Sequence, residues 1–221
     1  MDRACIFLVE DDPMIVQLLS KHLAKTYEVK TVENFRKVSQ EVQHIQPDLI
    51  LMDITLPYYN GFYWTTEIRK EATMPIIFIS SSEDEMDAVM AMNMGGDDFI
   101  SKPFSLTVLD AKIAAFLRRI QQFNQGSDLS LGNFKLEGDG RFSNGKDKIQ
   151  LTPTEARLLR ILIQSRGQVV SKDYILNKLW ENEDFIDPNT LSVNMTRLRK
   201  KVSDIGFDRI HTVRGVGYVV Q

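Results

Sequence analysis

The chain opens on an apolar run, Phe7-Leu8-Val9, that stops at Glu10-Asp11-Asp12, and the same arrangement returns three more times. Leu49 to Met52 runs into Asp53, Pro75 to Ile79 into Ser80, and Phe99-Ile100-Ser101 into Lys102-Pro103. Short apolar runs without alternation mark parallel strands, which are covered on both faces. Strands are predicted over Arg3 to Val9, Glu28 to Thr31, Asp48 to Met52, Pro75 to Ile79 and Asp98 to Ser101. Pro13 to Lys25, Asn34 to Ile45, Phe62 to Glu71, Asp84 to Met94 and Leu106 to Phe123 place apolar residues at helical spacing. This alternation predicts an α/β fold built on a five-stranded, doubly wound parallel sheet.

After Gln122 the helical repeat gives way to linker composition, including Gly126-Ser127-Asp128. Two domains, 1–122 and 129–221, joined by a linker at 123–128, are therefore expected. In the second, turn signals at Gly132-Asn133, Gly138-Asp139-Gly140 and Asn144-Gly145 separate short alternating segments, which read as a small antiparallel sheet. Helical patterns follow over Pro153 to Gln164, Ser171 to Trp180 and Pro188 to Val202, the first opened by Thr152 and Glu155 as a capping box. Arg209 to Val213 and Tyr218 to Val220 flank a turn at Arg214 to Gly217. Three helices closed by a two-stranded hairpin predict an α+β winged helix-turn-helix domain, a DNA-binding architecture.

The net charge of −3 conceals an asymmetry. Residues 1–123 hold 12 Lys and Arg against 18 Asp and Glu, residues 124–221 hold 15 against 12, and Asn189 to Arg214 hold 6 against 2. A basic stripe in the second half suits nucleic acid. The single cysteine, Cys5, excludes an internal disulfide and points to a reducing compartment. No signal-peptide pattern and no apolar stretch of membrane-spanning length occur, so a cytoplasmic protein without membrane insertion is expected.

Open parallel sheets bind ligands at the carboxyl ends of their strands. Glu10, Asp11, Asp53, Ser80 and Lys102 are thereby predicted to converge. Facing carboxylates repel unless a cation lies between them, and magnesium prefers such oxygen donors. Asp53 is placed to attack phosphorus as a carboxylate nucleophile, with the Ser80 hydroxyl and the Lys102 ammonium cradling the phosphoryl oxygens. In the second half, Leu191, Met195, Leu198 and Val202 form a buried helical stripe. The opposite face is expected to present Asn194, Thr196, Arg197, Lys200 and Lys201, with Arg199 nearer the edge, to the major groove and its phosphates. Arg214, at a narrow glycine-flanked tip, suits the minor groove.

Leu8-Val9-Glu10-Asp11-Asp12, Asp53 with Leu56-Pro57 and Asn60-Gly61, and Ser101-Lys102-Pro103-Phe104 resemble the receiver domain of bacterial two-component response regulators. Thr152-Pro153-Thr154-Glu155, Arg197-Leu198-Arg199-Lys200 and Val213 to Tyr218 extend the resemblance to the OmpR/PhoB family over essentially the whole chain. The resemblance implies a phosphorylation-activated transcriptional regulator rather than an enzyme. Asp53 would be the phospho-acceptor, receiving its phosphoryl group from a sensor histidine kinase. Mg2+ would be held by Asp11, Asp53 and the Thr55 carbonyl, and more weakly by Glu10. Ser80 and Phe99 would act as the switch. Activation would produce a homodimer on promoter DNA at direct-repeat sites, through a face containing Ala88, Val108 and the pairs Asp97 with Lys112 and Asp98 with Arg119. The loop from Trp180 to Asn189 resembles one used toward RNA polymerase. Leu56 to Trp64 is similar to the subgroup controlling peptide-antibiotic (bacitracin- and nisin-type) resistance transporters.

Two other readings compete. A magnesium-dependent phosphatase of the haloacid dehalogenase type also uses an aspartyl nucleophile, but needs a second acid two residues later, where this chain has Thr55. A DNA-binding regulator that works without phosphate would leave the acidic constellation unexplained.

Overall fold

A computed structural model describes the backbone of residues 3–81, 85–123, 127–180 and 188–221. It divides into two compact units, Met1–Leu117 and Arg118–Gln221.

In the first unit, β1 (Cys5–Val9), β2 (Glu28–Thr31), β3 (Leu49–Asp53), β4 (Ile76–Ser80) and β5 (Asp98–Ser101) form a sheet in the order β2-β1-β3-β4-β5. Every pairing is parallel. β3 and β4 are buried along their whole length, as the unbroken Leu49–Met52 and Ile76–Ile79 runs require, whereas the edge strand β2 is mostly exposed. The connecting helices are α1 (Pro13–Leu23), α2 (Val38–Ile45), α3 (Gly61–Ile68), α4 (Glu85–Asn93) and α5 (Leu106–Phe123). The expected strands and helices are all present, with boundaries within about a turn. The exception is α2, which starts four residues later than its periodicity predicts. Asn34 forms a turn instead: its carbonyl accepts the Lys37 N–H at 2.8 Å and its side chain the Arg36 N–H at 3.0 Å. Such local bonds favour turns over helix interiors.

The unit boundary falls inside α5, just after the buried Phe116 and Leu117, and the segment expected as a linker, 123–128, begins at the last residue of that helix. The second unit begins its sheet with β6 (Leu129–Leu131), β7 (Phe134–Leu136), β8 (Arg141–Ser143) and β9 (Lys148–Gln150), all antiparallel. Three helices follow, α6 (Pro153–Gln164), α7 (Lys172–Trp180) and α8 (Pro188–Ser203). The predicted capping box is formed: the Glu155 N–H donates to Thr152 Oγ1 at 3.3 Å, and the Thr152 N–H to Glu155 Oε2 at 2.8 Å. Phe142, Leu158, Leu162, Leu198 and Phe207 lie in one buried core under α6 and α8.

The closing hairpin, β11 (Ile210–Val213) and β12 (Gly217–Val220), has an unforeseen third member, β10 (Val170–Ser171). Its two residues were too few to show a period. Gly217 makes that contact possible, since a Cβ there would stand 1.9 Å from the Val170 carbonyl oxygen. No described helix is long and apolar enough to cross a membrane.

Candidate functional site

The order β2-β1-β3 means that the chain leaves β1 toward one edge and returns to pair with its other side, and the crevice at this reversal is where open α/β sheets bind ligands. Register aligns the strand ends there: Val9 pairs with Met52, Asp53 with Ile79 and Ser80 with Ser101. Glu10, Asp11 and Asp53 each bring a carboxylate oxygen within 4.8 Å of the others. Lys102, just past β5, closes the group with its Nζ 2.7 Å from Glu10 Oε2 and 3.2 Å from Asp53 Oδ1. The convergence expected of Glu10, Asp11, Asp53 and Lys102 is therefore realised, and Ser80 is buried at the adjacent strand end. Asp12 separates from its neighbours. It caps α1, accepting the Met14 N–H at 2.8 Å, and donates its own N–H to Glu10 Oε1 at 3.2 Å.

Asp53 is only 5% exposed. Burial, followed by the charge of Glu10, pushes its carboxyl up to about 6, against the pull of Lys102. Burial also works against the Lys102 charge, yet Glu10 and Asp53 raise its pKa above the ordinary ammonium value. One ammonium thus serves two buried carboxylates and a third exposed one, an excess of negative charge built from hard oxygen donors. Such a set fits a small divalent cation. The backbone beyond Asp53 is folded back tightly: the Gly61 N–H donates to the Ile54 carbonyl at 2.9 Å, and a Cβ on Gly61 would lie 2.2 Å from the Asp53 carbonyl oxygen. In this loop Tyr59 stacks on Tyr63 at 4.4 Å and meets the edge of Trp64. Thr55 is exposed beside Asp53.

At the other end of β5, Asp97 and Asp98 are both engaged within the chain. Asp97 is fully buried and binds inside its own domain, accepting from Arg69 Nη2 at 2.7 Å and from the Ile76 N–H at 3.0 Å. Lys112 pairs with Asp98 at 2.7 Å, also within the chain. Successive residues of a strand face opposite sides of the sheet, and Asp98 is the one that meets Lys112 of α5. The anticipated Asp97 to Lys112 pair runs between subunits, and within this chain Asp97 is bonded to Arg69 and Lys112 to Asp98. Ala88 on α4 and Val108 on α5 are half-buried, as is Phe99, whose N–H donates to Asp98 Oδ1. The side chain of Arg119 lies outside the described residues, as do residues 181–187 of the loop between Trp180 and Asn189.

On α8 the buried stripe of Leu191, Met195, Leu198 and Val202 forms as expected, but Asn194 joins it. At 0% exposed it cannot reach a ligand, and its Nδ2 donates to the Thr190 carbonyl at 2.9 Å. Its position, three residues after Leu191 and four before Leu198, puts it beside the stripe rather than opposite. Thr196 and Lys200 are exposed, in line with Ser192. Arg197 Nε and Lys201 Nζ instead approach the buried Glu155 carboxylate of α6, at 2.8 and 3.0 Å. Arg199 donates to Thr212 Oγ1 at 2.8 Å and lies 5.4 Å over the Tyr218 ring, bracing α8 against the hairpin. Arg214 is exposed at the hairpin tip, where Gly215 takes φ 74°. The role of Glu155 toward α8 was missed from sequence. Arg and Lys four residues apart on one helix edge hint at an acidic partner, but nothing local says which.

The geometry has a counterpart in known sequences. Residues 6–114 match the response regulator receiver domain, and residues 145–220 match the C-terminal domain of transcriptional regulatory proteins. The chain is 43% identical to YvcP of Bacillus subtilis (strain 168), an uncharacterized transcriptional regulatory protein, across 98% of this chain and 95% of the other. The chain belongs to the OmpR/PhoB-type response regulators. This response regulator is also 40% identical to the response regulator protein GraR of Staphylococcus aureus, across 97% of its own length and 98% of GraR. Among solved structures, the N-terminal domain of the nisin resistance regulator NsrR, a lantibiotic response regulator, is 68% identical, with a TM-score of 0.50. That likeness covers 53% of this chain and all of the other. The protein is thus a two-component transcription regulator in which a receiver domain precedes a DNA-binding winged helix.

Proposed function

We propose that Asp53 accepts a phosphoryl group from a sensor histidine kinase in the cytoplasm and that the resulting acyl phosphate controls dimerisation and promoter binding. The observation that carries this reading is the meeting of Lys102 with Glu10 and Asp53 beside Asp11. An Asp53 oxygen bonds to phosphorus as the bond to the donor nitrogen breaks. Lys102 turns to the phosphoryl oxygens, and the Ser80 hydroxyl, at the next strand end, donates to another. Asp11, Asp53 and the Thr55 carbonyl, with Glu10 further out, would hold Mg2+, which would supply charge neutralisation for that transfer. Ser80 and Phe99 form the switch, since Ser80 ends the strand next to Asp53, Phe99 lies on the strand beyond it, and Phe99 is only half-buried. With Thr55 in place of a proton-donating acid, the phosphoaspartate is a signal and not a turnover intermediate.

The dimer face is the surface of α4 and α5, where Ala88 and Val108 lie and where Met86 and Met90 are exposed one turn apart. On DNA, Thr196 and Lys200 face the major groove, Arg197, Arg199 and Lys201 flank it, and Arg214 enters the minor groove. RNA polymerase is the further partner at the promoter. The likeness to the nisin resistance regulator supports genes of antimicrobial-peptide resistance as the targets. Incubation with radiolabelled acetyl phosphate and Mg2+ tests the central step. Label is expected on the wild-type chain and not on Asp53→Ala; label retained by that variant refutes the assignment.

A further inference from the structure

Glu155 is a buried ion whose charge the local structure does not require. Its carboxylate closes the capping box of α6, but a glutamine closes such a box equally well. Burying a carboxylate is costly unless cations compensate it. Here they come from α8: Arg197 Nε at 2.8 Å from Oε1 and Lys201 Nζ at 3.0 Å from Oε2. Burial raises the carboxyl pKa, but Arg197 and then Lys201 more than reverse this and hold it below the usual range. Of the four cations on α8, Arg199 is also turned away, toward Thr212, and Lys200 alone is exposed.

We propose that Glu155 is a specificity-determining positioning residue, an internal counter-anion that holds Arg197 and Lys201 against α6 and withholds their charge from DNA phosphates. This rests on α8 being the helix that enters the groove. Each cation brought to a phosphate steepens the dependence of log affinity on log salt by about 0.9 and adds attraction to every sequence alike. With two cations offset internally, α8 binds random DNA weakly, and a larger share of its affinity comes from groups that read bases or groove shape.

The test is a salt titration of the full chain on a duplex of random sequence. Glu155→Gln keeps the cap and removes the charge; its slope is expected to steepen by about 0.9 to 1.8, with tighter binding at low salt. An unchanged or shallower slope would overturn the proposal. Lys200→Gln is the internal standard and should lose about 0.9 whether or not the clamp exists. If Lys200→Gln leaves the slope unaltered, the groove assignment of α8 fails and the clamp with it. If Glu155→Gln does not fold, Arg197→Gln and Lys201→Gln decide the matter: each should change the slope by well under 0.9, and a full 0.9 lost from each would overturn the clamp.

Discussion

Replacing Asp53 by asparagine should make the receiver domain more stable, and by an amount that depends on pH. In the folded chain the carboxyl titrates at about 6, above its ordinary value of 3.8, first because of burial and second because of Glu10. The folded state therefore binds the proton more tightly than the unfolded state, so ionisation opposes folding. The penalty is nearly absent below pH 4, grows through the window from 3.8 to about 6, and is constant above it. At 1.36 kcal/mol for each pH unit, the full penalty is about 3 kcal/mol at pH 7.5 and about 0.5 kcal/mol at pH 4. The amide side chain removes the charge at nearly the same volume. Urea unfolding in metal-free buffer, followed by the buried Trp64 in a Trp180→Phe background, isolates the receiver transition. With slopes of about 1–3 kcal/mol/M, the variant's midpoint should lie about 1–3 M above wild type at pH 7.5 and should converge with it near pH 4. A difference that stays flat across this range, or a less stable variant at pH 7.5, refutes the account of Asp53 as a charge held at a cost.

The same excess of negative charge makes two further predictions. Adding Mg2+ should stabilise the wild-type receiver by about 2.7 kcal/mol at a hundredfold excess over its dissociation constant, and Asp53→Asn should respond much less; the urea midpoint at pH 7.5 reads both. Lys102→Ala leaves the buried Glu10 and Asp53 without their cation, and should cost about 3–5 kcal/mol at neutral pH and less under acid, measured in the same way.

The receiver site was legible in the sequence because a parallel sheet imposes strong constraints. Its strands read as continuous apolar runs, its ligand edge is always the carboxyl one, and a polar residue that ends a run has nowhere else to go. Glu10, Asp53, Ser80 and Lys102 were placed by that logic alone. What was not legible is which way a single side chain points. Asp97 and Asp98 differ in facing by one step along β5, and only the register of α5 against that strand settles that Lys112 meets the second of them. Asn194 was assigned to the outer face because it is polar, yet its angular position on α8 is that of the apolar stripe, and burial followed geometry rather than polarity. A polar residue at such a position must satisfy its donor locally, which Asn194 does through the Thr190 carbonyl one turn back.

Arg197 and Lys201 fail as exposed residues for a different reason: their partner is 42 and 46 residues earlier in the chain, on a helix whose packing against α8 no local pattern encodes. A count of basic residues therefore overstates the charge that α8 offers to DNA, while the acidic count at the receiver edge is real, because there the excess of carboxylates over cations survives folding. The two halves of this regulator differ in how they treat charge. The receiver keeps more carboxylates than cations at its strand ends, and the winged helix cancels part of its own charge. That contrast follows from function: a switch needs a site that responds strongly to one added group, whereas a sequence reader gains from suppressing attraction common to all DNA.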